Sequence, residues 1–488
     1  MPIPASRIRA LNNRPLNPSG DFVVYWMVAT RRTRYNFGLQ RAIEIAIQCA
    51  RPLVILEALR CDYPWANDRL HQFILEGMAD NTMDAARSGA LYYPYVEPSR
   101  GRGRGLLRSM SSTACAVVTD WYPTFFLPDM LAAAAKQSEV ALEAVDSNGL
   151  IPLSAARKYY PAARFYRAFM QRTLREHLRD FPIERPLTLL KGLPKLKNVP
   201  ARIGRRWPAA SARLLRGGST ALASLPIDHS VEIVEQRGGQ RAAATRLKQF
   251  LSRDLARYAD DHNHPDLDAT SRLSPYLHFG HISAHEVFAR LMSHERWTTR
   301  KLGARGGGAR EGWWGVSPTA EAFLDQLVVW RELSFNGCEH LTDCNSYASL
   351  PDWARRTLEA HSSDRRPHRY STGQVERAET GDEVWNATQR QLLTEGWFHG
   401  YLRMLWGKKI LEWSKSPADA LKRMESLMNR YSLDGRDPNS YAGYAWVLGR
   451  YDRPWPERPI FGTVRSMTSA SAKRKLKMKR FLAEYGNR

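Results

Sequence analysis

The sequence predicts two domains of different class: an N-terminal α/β domain built on a doubly wound parallel sheet, and an all-helical C-terminal domain. Three observations predict it. Between residue 20 and about 150, short β-rich runs alternate with helix-capable stretches, the order expected of βαβ units. Beyond about 230 such runs cease and apolar residues recur at helical spacing. Between the two, residues 181–230 carry repeated Pro and basic residues without sustained periodicity, which is linker composition.

In chain order, residues 1–19 are polar and Pro-rich and read as a loosely attached arm. The α/β domain, assigned to 20–180, has β-rich runs at 21–27, 52–58, 90–96, 114–119 and 139–145. No GxGxxG follows the first run, so a dinucleotide fingerprint is not supported. The RGRGRG run at 100–105 lies outside a clear strand-to-helix turn and reads as a solvated loop. The C-terminal domain, 231–468, shows helical patterns at 240–260, 274–293, 317–340, 385–413 and 417–430. A Gly/Arg-rich loop at 298–317 reads as mobile, and the basic tail at 469–488 as a solvated helix or disordered arm.

Composition narrows the function. The chain has 488 residues, 43% of them hydrophobic, enough for two cored domains. Lys and Arg number 72 against 49 Asp and Glu, a net +23 that points to a polyanionic partner, though charge alone does not separate nucleic acid from an acidic membrane. No run of 18 apolar residues and no signal-peptide core occur, so the expected location is the cytoplasm. Cys49, Cys61, Cys115, Cys338 and Cys344 form no CxxC pair and no His/Cys cluster, so neither a structural metal nor a disulfide framework is expected.

The richest stretch is 396–446. Its first half lacks Pro, and Tyr401, Leu402, Leu405, Trp406, Ile410 and Trp413 recur at helical intervals. Trp406 and Trp413 share one face, about 10 Å apart along the axis, close enough for electron hopping. The DGRDPN cluster from Asp434 to Asn439 crowds two carboxylates beside an arginine in a turn suited to holding a polar group. Upstream, Ser274-Pro275 has the form of an N-cap and N1 pair, which would present a helix N-terminus beside the hydroxyls of Thr270 and Ser271. From the residues alone, these tryptophans are equally core filler, Ser274 an ordinary helix start, and Glu332 a salt-bridged helix residue.

These segments, with SRLSPYLHFG at 271–280, FLDQLVVWREL at 323–333 and DRPWPERPIFG at 452–462, resemble the class II cyclobutane pyrimidine dimer photolyases, and the resemblance extends over residues 20–465. It implies light-driven repair of pyrimidine dimers in double-stranded DNA, with FAD as cofactor. The resemblance allows an antenna pigment in the N-terminal domain, of deazaflavin type by family preference, although no residue here establishes it. The protein is expected as a monomer, nucleoid-associated if bacterial. The missing cysteines argue against the iron–sulfur branch.

Carried residue by residue, the resemblance places Thr270, Ser271, Leu273 and Ser274 on the FAD phosphates, with Tyr258 also touching the cofactor. Arg403, Asp434, Asp437 and Asn439 surround the flavin ring. Trp385, Trp406 and Trp413 pass electrons to it. Glu332 hydrogen-bonds the damaged pyrimidines, and Trp446, with Met404 beside it, packs against the flipped lesion. Relatives carry an asparagine near flavin N5 where ungapped alignment here places Met428; a local shift would put Asn429 there instead. Two other functions stay open: a cryptochrome-like blue-light receptor on the same scaffold, and a nucleic-acid-binding protein without cofactor.

Overall fold

The computed structural model describes residues 2–304 and 306–486, so Arg305 of the Gly/Arg-rich loop and the last two residues of the basic tail lie outside the described residues. The chain divides into two compact units. The first comprises Met1–Arg157, Thr173–Lys248 and Arg272–Arg296; the second comprises Lys158–Arg172, Gln249–Ser271 and Trp297–Arg488.

The first unit is built on a six-stranded sheet: β1 (Ile8–Ala10), β2 (Phe22–Met27), β3 (Leu53–Leu59), β4 (Leu91–Val96), β5 (Ala114–Asp120) and β6 (Leu142–Val145). The spatial order is β1-β6-β5-β2-β3-β4. All neighbours pair in parallel except β1 with β6. Every residue of β2 and β5 is buried, as near-continuous apolar runs require when helices cover both faces. The order in which strands are added reverses between β2 and β5, where doubly wound folds open a crevice. Asp120 Oδ2 accepts the N–H groups of Val28, Ala29 and Thr30 at 2.9, 2.8 and 2.8 Å, the donors a phosphate would otherwise use.

Two expectations for this unit are corrected. Residues 8–10 are not part of a loose arm: they form the antiparallel edge strand β1, and Arg7 beside it is buried, donating to the carbonyls of Asp146, Gly149 and Leu150. The 274–293 helix is two helices, Ser274–His278 and Ala284–His294. Gly280 separates them at φ +71, and a Cβ there would lie 2.0 Å from the Ala29 carbonyl oxygen.

The second unit is helical. Residues 385–413 likewise form two helices, Glu383–Glu395 and Gly400–Trp413, because Gly396 at φ +65 caps the first. Residues 318–340 coil continuously, but Asp325–Trp330 form a wider π turn between Pro318–Leu324 and Arg331–His340. The basic tail is not a solvated arm. Its helices Ser469–Lys475 and Lys479–Tyr485 bury Ala472 and Phe481, with Met478 between them, against Val384, Ala387, Leu402 and Leu405. The Gly/Arg-rich loop is tethered: Glu321 accepts the N–H groups of Gly312, Trp313 and Trp314 at 2.6, 3.0 and 3.2 Å. Among the described residues no helix is long and apolar enough to cross a membrane.

Candidate active site

Helix Gly400–Trp413 is buried on most of its circumference, and it packs closely on helix Pro438–Val447 because Gly407 has no side chain. A Cβ on Gly407 would stand 2.6 Å from Val447 Cγ2 and 3.0 Å from Met424 Sδ. The loop after helix Pro417–Tyr431 then folds back on the first of these helices. Arg403 Nη2 donates to both oxygens of Asp434, at 3.0 and 3.1 Å, with the carboxylate side chain 6% exposed. Ser432 Oγ donates to Asp434 Oδ1 at 2.6 Å and Ser440 Oγ to the Asp434 carbonyl at 2.7 Å. Asp437 caps helix Pro438–Val447 by accepting the N–H of Asn439 at 2.8 Å, and the exposed Asn439 accepts from Ser334 Oγ at 2.8 Å.

The arginine inside this loop shapes it. Arg436, at φ +62 and buried, donates its backbone N–H to Asn429 Oδ1 at 2.8 Å and its guanidinium to the Asn429 and Ser432 carbonyls. The Asn429 amide is therefore engaged in holding the turn. Met428 beside it is fully buried. Two donors near Asp434 have no such partner: Arg403 Nε and Tyr444 Oη are buried with no hydrogen bond within the protein. Burial pushes the Tyr444 hydroxyl well above the usual phenol range.

The three tryptophans come together, in an order sequence spacing does not suggest. Trp385, from helix Glu383–Glu395, stands between the other two: its ring lies 6.3 Å from Trp406 at an interplanar angle of 5° and 5.3 Å from Trp413 at 71°. Trp385 Nε1 donates to the Trp406 carbonyl at 3.0 Å, and Trp406 Nε1 to Gln389 Oε1 at 2.9 Å, so both rings are fixed. Tyr370, half-buried, continues the series edge-on to Trp413 at 5.0 Å.

Arg403, Met404 and Trp446 are half-buried, whereas Glu332 is buried and accepts from Tyr166 Oη at 3.3 Å. Two basic side chains face Trp446: Lys408 Nζ lies 5.1 Å from its ring centre and the Arg465 guanidinium 5.8 Å. Arg465 also lies 4.9 Å from the Trp455 ring, as does Arg453. Sequence reasoning missed this basic-aromatic array, along with Tyr370, Lys408 and Tyr166. The signal for Trp455, Arg453 and Arg465 was present in their interleaved aromatic and basic residues.

Tyr258 is buried in the second unit, its ring stacked on His262 at 4.7 Å and edge-on to Phe323 at 5.5 Å. Thr270 and Ser271 end that unit's segment; Thr270 Oγ1 donates to Asp268 Oδ1 at 3.1 Å. Leu273 and Ser274 open the next segment, in the first unit. Ser274 is the first residue of its helix and not the cap: Leu273 takes the cap position with a helical backbone, and no side chain caps this five-residue helix.

No protein-family model matches the chain. It is similar over its whole length to the deoxyribodipyrimidine photo-lyase of Methanothermobacter thermautotrophicus, with 33% identity over 482 residues and 98% of each chain covered. Among solved structures it resembles a bacterial class III photolyase from Agrobacterium tumefaciens, with a TM-score of 0.68, 17% identity and coverage of 96% of this chain and 86% of that one. It also resembles a Synechocystis cryptochrome, with a TM-score of 0.65, 11% identity and coverage of 95% and 88%. The two structural likenesses establish the fold, and the full-length sequence likeness decides between the names they carry: this chain belongs to the deoxyribodipyrimidine photo-lyase family.

Proposed function

We propose that the protein repairs cyclobutane pyrimidine dimers in DNA by light, as a class II-type photolyase with FAD as cofactor. The observation that carries this is the full-length likeness to a photo-lyase, which spans both units. The residues present fit the cofactor. The unpartnered buried donors Arg403 Nε and Tyr444 Oη call for an acceptor beside the Arg403–Asp434 pair, as the polar edge of a flavin supplies. Asp437 and Asn439 line the same loop, and Tyr258, Thr270, Ser271, Leu273 and Ser274 are assigned to the rest of the cofactor. What FAD supplies when bound is a light-excited electron, lent to the dimer and regained once the cyclobutane ring has opened.

The chain's own residues do the rest. The half-buried Arg403 guanidinium, held by the buried Asp434 carboxylate, keeps a positive charge where the flavin ring would carry negative charge. Trp413, Trp385 and Trp406 offer easily oxidised rings in contact, so electrons can pass inward along them to ready the cofactor. Glu332 is assigned the hydrogen bond to the damaged bases, and Met404 and Trp446 an apolar wall against which a flipped dimer packs. A dimer stacks and pairs poorly in the duplex, which lowers the cost of extruding it. Arg453, Trp455 and Arg465 suit the flanking strand, since arginine planes and indoles bind phosphates and bases without reading sequence. Because Asn429 is committed to Arg436, we assign Met428 to the position nearest flavin N5. A deazaflavin-type antenna in the first unit is the finer part of this proposal; the rings of Tyr63, Trp65, Phe125 and Phe126, clustered after β3 and β5, suit a planar pigment.

The test is repair of UV-irradiated oligothymidylate by purified flavin-loaded protein under near-UV or blue light, with a dark control. Light-dependent loss of dimers is expected. A yellow protein that photoreduces normally but repairs nothing would instead be a light receptor on this scaffold.

A further inference from the structure

Residues 158–172 precede the Pro-rich segment that sequence composition marks as a linker, yet they pack within the helical unit. Three contacts fix them to residues 325–336. Asn336 grips the backbone on both sides of Tyr159: its Oδ1 accepts the Tyr160 N–H at 3.0 Å and its Nδ2 donates to the Lys158 carbonyl at 2.9 Å. Arg167 donates to Asp325 Oδ1 from Nε at 3.0 Å and Nη2 at 2.8 Å, in a pair about nine-tenths buried on both sides. Between these anchors, Tyr166 Oη reaches Glu332 Oε2 at 3.3 Å. Asp325, Glu332 and Asn336 thus all meet residues 158–167. The Tyr166 ring is held edge-on to Tyr160 at 5.7 Å and tilted on Phe169 at 5.7 Å.

A buried carboxyl group with two equivalent oxygens can rotate and can carry its proton on either. A phenol donating to Oε2 holds that oxygen as an acceptor and so biases which way the carboxyl group faces. Tyr166 is anchored through its neighbours at 160 and 167, so it imposes this orientation and is not merely drawn along by Glu332. We infer that Tyr166 is a positioning residue for Glu332, so that a segment lying before the linker sets the geometry of the group assigned to the damaged bases. This rests on the lesion-contact reading of Glu332 given above.

The test is a double-mutant cycle with chemically reduced, FAD-loaded protein: Tyr166→Phe, Glu332→Gln and the double variant, each assayed for single-turnover repair of UV-irradiated oligothymidylate. Affinity for undamaged DNA, bound flavin and thermal midpoint are measured alongside. Tyr166→Phe should lower repair about tenfold, the loss of one hydrogen bond to a carboxyl group. It should leave flavin content, undamaged-DNA affinity and melting unchanged, and it should cost nothing further in the Glu332→Gln background. Unchanged repair in Tyr166→Phe would overturn the inference. So would a loss that multiplies with that of Glu332→Gln, or one explained by lost flavin or lower melting. Full repair by Glu332→Gln would overturn the lesion-contact reading itself, and the inference with it.

Discussion

At the scale of single residues, Trp406 and Lys408 show how position on one helix separates roles. Trp406→Phe removes the inner ring of the stacked series, so it should block photoreduction of oxidised FAD while repair by chemically pre-reduced protein stays near normal. Normal photoreduction in that variant would mean that electrons enter by another route. Lys408 is fully buried; its Nζ donates to the Val447 carbonyl at 2.6 Å, and burial pulls its ammonium down to about 7, with Asp452 opposing and Arg465 adding to that shift. The sign follows from linkage. The folded state favours the neutral amine, so the stability associated with Lys408 is lost as pH falls from the unfolded value of 10.5 toward 7. Lys408→Met lacks this dependence, so denaturant titrations should show the native protein gaining on the variant by about 1 kcal/mol per pH unit between pH 7 and 10. Parallel curves would show that Lys408 is hydrated in the folded state. At the position we propose to lie nearest flavin N5, Met428 offers a weak acceptor in place of an amide oxygen. Met428→Asn should therefore raise the amount of protonated one-electron-reduced flavin seen during illumination. That form abundant in the native protein, and abolished by Asn429→Ala, would place Asn429 at the ring.

At the scale of elements, the site depends on how closely helices Gly400–Trp413 and Pro438–Val447 approach. One carries Arg403, Met404 and Trp406; the other begins at Asp437 and carries Trp446. Gly407→Ala puts a methyl group into Val447 and Met424 Sδ, side chains packed in the main core of this unit. Overpacking of this kind costs about 1–3 kcal/mol. We expect a lower thermal midpoint together with weaker flavin retention, because the strain falls between the two elements that hold the site. A drop in midpoint with flavin content unchanged would show that the helices yield elsewhere. The β-runs were legible because a strand covered on both faces is apolar throughout, as β2 and β5 are. Their boundaries with turns were less so. Gly280 and Gly396 sat inside continuous apolar periodicities, and only the backbone they meet, the Ala29 carbonyl for one and Leu433 N–H for the other, shows why each chain must turn there.

At the scale of the whole molecule, 72 basic against 49 acidic residues make a +23 chain. Many acidic groups are already taken by arginines, as in Arg31–Glu57, Arg167–Asp325 and Arg403–Asp434, so the excess is left for an outside anion. Affinity for damaged duplex DNA should fall steeply between low and moderate salt, with a log–log slope corresponding to several phosphate contacts. A flat salt response would mean that the charge serves another purpose. Specificity should survive the salt series better than affinity does, because phosphate contacts position the duplex while the lesion contacts proposed for Glu332 and Trp446 do not depend on counterion release.

The sequence by itself determined the two fold classes and the helical identity of 400–413 and 417–430, because these are written in local periodicity and composition; the residues for flavin and electron chemistry came from motif resemblance. Only the tertiary structure decided which residues meet. Trp385 lies between Trp406 and Trp413 because its helix packs across theirs, which no spacing along the chain encodes. Asn429 turns to Arg436, leaving Met428 beside it, because a left-handed backbone at Arg436 points its N–H back at the preceding helix. Tyr166 reaches Glu332 across 166 residues of sequence. Contacts of that range depend on how elements dock, and docking is settled by the complementarity of whole surfaces that a local pattern does not specify.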